Sequence, residues 1–294
     1  MDHRGKLAFA PFTLTLGHEG VGEVVAVGDG VTTRAVGDRV GIVALQSSCG
    51  RCDWCLQRRP LDFATAANCP EAVLTGFNVN GAHADYIAVP ADATVTLPDT
   101  IGYEQAAPIM CVGYTAWAAL RRANPQPGAR VAVTGIGGMG HLALQYAKAV
   151  GFTVIAVTGS ADKHDLAREL GADDVVSSGT ELRASEGADV LLATSSSNLA
   201  VADAMHGMRA YGTVMMMGTS SDELPVGSMP MVMNSLTTRG SAHNGIEYLT
   251  EALQMVADGH VTPMIEVYDK KDAAEAYRRT ASGEARFRPV VTYS

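Results

Sequence analysis

Four cysteines, in the run Cys49-x-x-Cys52-x-x-Cys55 and at Cys69, have the residue type and spacing to hold a metal ion. The first three place thiolates within one tight loop, and the fourth can close a tetrahedral zinc site. A tetrathiolate site leaves no open position, so such a zinc is structural rather than catalytic. Reduced thiols without metal, or a disulfide formed during handling, remain the alternatives. A second chemical feature is Gly135-Ile136-Gly137-Gly138-Met139-Gly140, which follows the apolar run Arg130 to Thr134 and precedes a segment of helical spacing. In that context a Gly-x-Gly-x-x-Gly turn predicts dinucleotide binding. The first glycine permits the tight turn, the second admits a pyrophosphate, and the third lets helix and strand pack closely. The helix N-terminus then presents free N–H groups to the phosphates. A glycine-rich turn with no ligand is the alternative.

The end of the following strand bears on which dinucleotide binds. An Asp or Glu there would accept hydrogen bonds from the ribose hydroxyls of NAD. Here the strand ends Val157-Thr158-Gly159-Ser160 and continues Ala161-Asp162-Lys163, with no carboxylate at its tip. Thr158 and Ser160 can donate to a 2′-phosphate and Lys163 can supply charge, so the expected cofactor is NADP(H). Asp162 departs from that pattern, since it can repel the phosphate or face solvent. Lys163 and Arg168 can equally belong to a solvated helix face.

Elements that could position these groups follow from periodicity. Residues 20 to 45 are rich in Val and Gly and predict short strands with turns at Gly28-Asp29-Gly30 and Gly37-Asp38. Residues 46 to 80 predict an irregular lobe around the cysteines, and 81 to 98 return to strand and turn. Glu104 to Ala123 predicts helical stretches broken near Pro108 and Gly113. Strands are then predicted at Arg130–Thr134, Thr153–Val157, Asp174–Val176 and Asp189–Ala193, with helices at Leu142–Val150 and Ala161–Leu170. Two more helices are expected at about 247–258 and at Lys271–Ala281, before a final apolar stretch Pro289–Tyr293. Short apolar strands alternating with amphipathic helices indicate an α/β fold with an open parallel sheet. By the crevice rule for such sheets, Thr194-Ser195 and Gly218-Thr219 at the ends of later strands should flank the cofactor. The Met-rich runs Met215–Met217 and Met229–Met233 can face a pocket or a subunit edge, or simply fill core.

Composition excludes several classes. In 294 residues, 22 basic against 31 acidic side chains give a net charge of −9, which disfavours nucleic acid or an anionic membrane as the main partner. No apolar run reaches the ~18 residues of a membrane helix. The opening Met1-Asp2-His3-Arg4-Gly5-Lys6 lacks a signal-peptide core, so a cytoplasmic location is expected. An odd number of cysteines, four of them clustered, suits metal binding in a reducing compartment better than a disulfide frame.

Gly17-His18-Glu19-Gly20-Val21-Gly22, with Gly28 and Val31 at fixed offsets, resembles the zinc-binding signature of the medium-chain, zinc-dependent alcohol dehydrogenases and matches it at every fixed position. Ala106-Ala107-Pro108-Ile109-Met110-Cys111-Val112-Gly113-Tyr114-Thr115-Ala116 resembles the family stretch that carries the last catalytic zinc ligand. Gly81-Ala82-His83-Ala84-Asp85-Tyr86 looks like a further family stretch. The cysteine lobe is similar too, although Cys69 comes later than its family counterpart, which implies an insertion within Arg58 to Asn68. Thr158 to Lys163 resembles the NADP-using, cinnamyl-alcohol-type branch.

The resemblance implies a Rossmann doubly wound sheet domain at 114–262 and a β-rich GroES-like domain at 1–113 with 263–294, the latter N-terminally shortened and carrying the zinc lobe at 46–80. It implies a catalytic zinc held by His18 and Cys111, with Glu19 able to swing in as a third ligand, and Thr115 lining the nicotinamide side. A further family ligand, a Cys with a proton-relaying hydroxyl beside it, would fall before Met1. That implies a start further upstream, a naturally short chain with a different active site, or a remnant that only binds cofactor. Asp2 and His3 are candidate substitutes for the relay region. The implied reaction is hydride transfer between NADP(H) and a small-molecule carbonyl or alcohol. The alternatives are a zinc-free NADPH-dependent reductase of an iminium or conjugated double bond, and a non-catalytic NADPH-binding protein. A homodimer or homotetramer is expected by analogy.

Overall fold

The computed structural model describes residues 13–56 and 66–293. The chain divides into two compact units. One comprises Met1–Tyr114, His243–Ala257 and Met264–Ser294, and the other Thr115–Ala242 and Asp258–Pro263.

The first unit begins with an antiparallel sheet of β1 (Val21–Glu23), β2 (Arg39–Ile42) and β5 (Thr94–Thr96), in the order β1-β2-β5. Val40 and Ile42 are buried on one face, while Val95 and Leu97, in register with Gly41 and Arg39, are buried on the other, so this sheet is covered on both sides. Between β2 and β5, β3 (Leu45–Ser47) pairs antiparallel with β4 (Val73–Leu74). This pair and the short helix Asp53–Leu56 carry the cysteine lobe. The break predicted near Pro108 lies at Cys111, between a 3₁₀ turn Ala107–Met110 and the helix Val112–Ala123, with Gly113 inside the helix.

The second unit is built on six parallel strands: β6 (Arg130–Thr134), β7 (Thr153–Val157), β8 (Asp174–Val176), β9 (Ala188–Ala193), β10 (Met208–Met216) and β11 (Thr237–Gly240). Their order is β11-β10-β9-β6-β7-β8, the doubly wound arrangement expected. Strand order reverses between β6 and β9, which places the ligand crevice at the C-terminal ends of those strands. Val131, Ile155, Leu191, Leu192 and Val214 are fully buried, and each such large aliphatic contributes roughly 1.5–3 kcal/mol. The methionines divide: Met215 and Met217 are buried, while Met229 and Met233 are exposed. The polar, exposed β11 carries no apolar pattern in its sequence that would mark it as a strand. Among the described residues no helix is long and apolar enough to cross a membrane.

Returning to the first unit, β12 (Ile265–Asp269) runs parallel to β13 (Arg288–Thr292). The helix Ala273–Ser282 connects them. Glu266 on β12 accepts two hydrogen bonds from Arg279, both 2.9 Å, one from the Tyr268 hydroxyl at 2.8 Å and one from the Arg286 amide at 2.9 Å. The Arg279 guanidinium and the Arg286 amide hold its carboxyl down at about 2. A depressed folded-state pKa contributes stability that is present above the unfolded value and disappears as pH falls through the folded one. Glu266→Gln should therefore lower Tm near neutral pH, with the difference from the parent closing between about pH 4.5 and 2. Thermal melts across that range measure it, and a pH-independent difference would count against this role.

Candidate metal centres and dinucleotide cradle

The Sγ atoms of Cys49, Cys52, Cys55 and Cys69 all lie within 4.8 Å of one another. Cys49 and Cys55 are 3.9 Å apart, and Cys52 and Cys55 3.5 Å. Sulfurs bound to one tetrahedral zinc at ~2.3 Å are themselves about 3.8 Å apart, so the four thiols fit that ion. None of the five cysteines is in a disulfide. Backbone amides point at the sulfurs: Cys52 donates to Cys49 at 3.3 Å, and Cys49 and Glu71 donate to Cys69 at 3.5 and 3.4 Å. Amides of Arg51 and Cys52 hold the Cys49 thiol down to about 6 and favour thiolate at that sulfur, while burial and the neighbouring thiols push Cys52 up to about 11. Leu45, Ala72, Leu74 and Phe77 pack around the cluster. Most of the expected insertion within Arg58 to Asn68 lies outside the described residues.

A second donor cluster forms where Thr15–Gly17 runs alongside Gly81–His83. Gly81 donates to the Thr15 carbonyl at 2.7 Å, Ala82 to Gly17 at 2.9 Å and His83 to Leu16 at 2.9 Å. A Cβ on Gly81 would sit 2.1 Å from the Gly17 carbonyl oxygen, and Gly17 itself has φ +98°, so both positions need glycine. This close pass aims His18, whose ring lies 5.0 Å from that of Phe77. Glu19 pairs with Arg288 of β13. Cys111 sits at the break before its helix with φ −132° and ψ −75°. One ligand atom each from His18, Glu19 and Cys111 falls within a 4.8 Å spread. Imidazole, carboxylate and thiol converging in one place is a donor set that zinc accepts.

Against Cys111 lies His243, buried, with Nε2 3.2 Å from the Cys111 sulfur. Its ring stacks on Tyr114 at 5.0 Å and 21°, and the Tyr114 hydroxyl donates to the Asn244 carbonyl at 2.5 Å. Burial lowers the His18 pKa, and burial together with nearby His18 brings His243 down to about 3, so both imidazoles are neutral at pH 7. Burial pushes the Cys111 thiol up; a bound cation inverts that effect and deprotonates a coordinating thiol. Asp2 and His3 lie outside the described residues. Thr115 is buried on the helix Val112–Ala123, within the second unit.

In the second unit the glycine-rich turn connects β6 to the helix Gly140–Ala149. Gly135 has φ +89°, and a Cβ on Gly140 would meet the Gly135 carbonyl oxygen at 1.9 Å. Around Gly137 the same test finds open space, which is room for a phosphate. The Thr194 hydroxyl lies 2.7 Å from the Gly135 carbonyl and 3.0 Å from that of Thr134, clamping the turn. Gly218 donates to the Ala193 carbonyl at 2.9 Å and backs onto Ser195; Thr219 beside it is exposed. A cavity of about 250 Å³ is lined by Gly135, Ile136, Thr158, Gly159, Ser160, Lys163 and Ser195 among others. Gly137, Gly138, Met139 and Gly140 lie on the turn without lining that cavity, and Thr194, Gly218 and Thr219 do not line it either.

Sequence reasoning missed several of these contributors. Ser177, which follows β8, and Asp203 on the helix Asn198–Met205 also line the cavity. Asp203 accepts a hydrogen bond from the Gly179 amide at 2.8 Å. Arg288 and His243 reach the His18 centre from far along the chain, and no local motif marks either.

Residues 138–258 match the family model of the zinc-binding dehydrogenases, and residues 2–99 match that of the alcohol dehydrogenase GroES-like domain. The chain is 37% identical over 281 residues to an alcohol dehydrogenase of Geobacillus stearothermophilus, covering 94% of this chain and 82% of that one. It is 34% identical to a probable formaldehyde dehydrogenase of Bacillus subtilis, covering 96% and 82%. Among solved structures, a cinnamyl alcohol dehydrogenase from Sorghum bicolor superposes with a TM-score of 0.88 at 27% identity, covering 99% of this chain and 84% of that chain.

The thiol cradle makes a direct forecast. Cys55→Ser, which replaces the most deeply buried of the four sulfurs, should cost one zinc per chain and lower Tm by several degrees. Metal analysis with a thermal melt checks this; an unchanged zinc count would remove the structural metal from this lobe.

Proposed function

Because the chain belongs to the zinc-dependent alcohol dehydrogenase family of the medium-chain dehydrogenases, we propose that it transfers a hydride between NADP(H) and an alcohol or aldehyde substrate. The observation that carries this reading is the convergence of His18, Glu19 and Cys111 donor atoms within 4.8 Å. When bound, the nicotinamide supplies the hydride and zinc supplies a Lewis acid for the substrate oxygen. His18 and Cys111 hold the metal. Arg288 orients Glu19 beside it and neutralises the carboxylate. Gly137 admits the pyrophosphate to the backbone, Thr194 keeps the turn closed, and the helix from Gly140 directs its positive end to the phosphates.

The preference for NADP(H) rests on the rim of the cavity at the end of β7. Thr158, Ser160, Lys163 and Ser177 present hydroxyls and a cation there, a set that suits a 2′-phosphate. The Asp203 carboxylate on the same cavity is engaged by the Gly179 amide. One solved neighbour, 29% identical with a TM-score of 0.84, is an NAD-dependent alcohol dehydrogenase, so NADH is the cofactor against which NADPH is to be compared.

Oxidation of short-chain and cinnamyl-type alcohols, followed by the absorbance of the reduced nicotinamide, tests the activity. His18→Ala should lower kcat/KM by about 10³-fold, the scale of losing a Lewis acid worth several kcal/mol; full activity in that variant would defeat zinc assistance. Lys163→Glu should raise KM for NADPH by roughly 10–100-fold and leave KM for NADH nearly unchanged, since a hydrogen bond to a charged group is worth about 1.5–3 kcal/mol. Equal losses with both cofactors would defeat the 2′-phosphate assignment.

A further inference from the structure

We infer that His243 is a ligand of the metal at the His18 centre, through Nε2, forming with His18 and Cys111 a two-imidazole, one-thiolate set. The inference rests on the reading that this centre binds zinc, and it adds a donor that no motif marks.

Four observations point the same way. His243 Nε2 is 3.2 Å from the Cys111 sulfur, and a nitrogen and a sulfur on one tetrahedral zinc are about 3.5 Å apart. The ring is buried and held face-on to Tyr114, whose hydroxyl grips the carbonyl of the next residue, Asn244. Its direction is therefore set by packing before any metal arrives, as a preorganised ligand requires. His243 and Asn244 have φ of 53° and 74°, two successive non-glycine residues in the left-handed region. Left-handed backbone is uncommon outside glycine, His and Asn being among the residues that adopt it most readily, and it gathers at functional sites. Finally, the Glu19 carboxylate is taken up by Arg288. The Oε2 atom shared with the guanidinium is weakened as a zinc donor, whereas a neutral imidazole meets the preference of this metal for nitrogen and sulfur. Three protein ligands with a fourth position left for substrate is the arrangement of a catalytic zinc, and His243, 3.2 Å from the Cys111 sulfur, would bring the count beside His18 and Cys111 to three. Glu19 with Arg288 then stands behind them as a charge pair.

The test begins with the unaltered chain. Its zinc content is measured, and the metal environment of a cobalt-for-zinc exchange at this centre is read by visible absorption and X-ray absorption. Two metals per chain, with two imidazoles at the exchanged site, are expected. His243→Ala should keep the structural zinc, weaken the second site by more than about 100-fold and leave one imidazole. Loss of an outer-shell partner costs only 10–100-fold, so the size of the drop separates a ligand from a hydrogen-bonding neighbour of Cys111. Two metals with a single imidazole in the unaltered chain would overturn the inference and leave the zinc reading standing, and so would a smaller drop in His243→Ala with an unchanged cobalt spectrum. One metal per chain, lost in Cys55→Ser, would overturn both. The imidazole count in the unaltered chain decides the matter even if His243→Ala does not fold.

Discussion

The close passage of Gly17 against Gly81 is the constraint on which the His18 centre depends. Two backbones meet there with no space for a side chain, and the hydrogen bonds from Gly81, Ala82 and His83 lock the segment leading into His18. A donor atom can serve a metal only if its position is set to a fraction of an ångström, and here the main chain sets it. Glu19 follows in the same strand entry, and its pairing with Arg288 spans 269 positions of sequence. Cys111 completes the cluster from a break between two helical segments, where the non-helical dihedrals turn its sulfur toward the others.

Electrostatics in this centre follow from burial. Taking imidazoles out of water favours their neutral form, and taking a thiol out of water favours the protonated one. His18 and His243 are shifted in the direction that leaves nitrogen lone pairs free for a metal, while Cys111 is shifted away from the thiolate a metal needs. A metal taken up at Cys111 would therefore displace a proton. The Cys49 lobe solves the same problem differently, because backbone amides favour thiolate at Cys49 without a cation present.

In the other unit the parallel register does the comparable work. Thr134 stands opposite Val157 on one side and Ala193 on the other, so the turns that follow β6, β7 and β9 emerge at one level. The reversal of strand order at β6 opens the space between them. Thr194, Ser195 and the glycines at 135 and 140 then pack against each other closely enough to hold the loop in one shape.

Much of this was legible in residue order because it is local. The strands Arg130–Thr134, Thr153–Val157 and Asp174–Val176 have the predicted bounds, and the glycine turn and the Cys49–Cys55 spacing encode geometry within a few residues of themselves. β11 carries no burial pattern because all four of its residues are exposed, and β12 is too short and only half-buried to show a clear one. Resemblance placed Cys111 with His18, but no spacing marks His243, Arg288, Ser177 or Asp203. Each acts through contact with a residue distant in sequence, and a contact of that kind exists only after the backbone has closed. Sequence by itself determined the family, the glycine turn, the thiol lobe and two donors of the second centre. Tertiary structure decided which imidazole faces the Cys111 sulfur and which cation holds Glu19, because those partners are chosen by packing rather than by chain spacing.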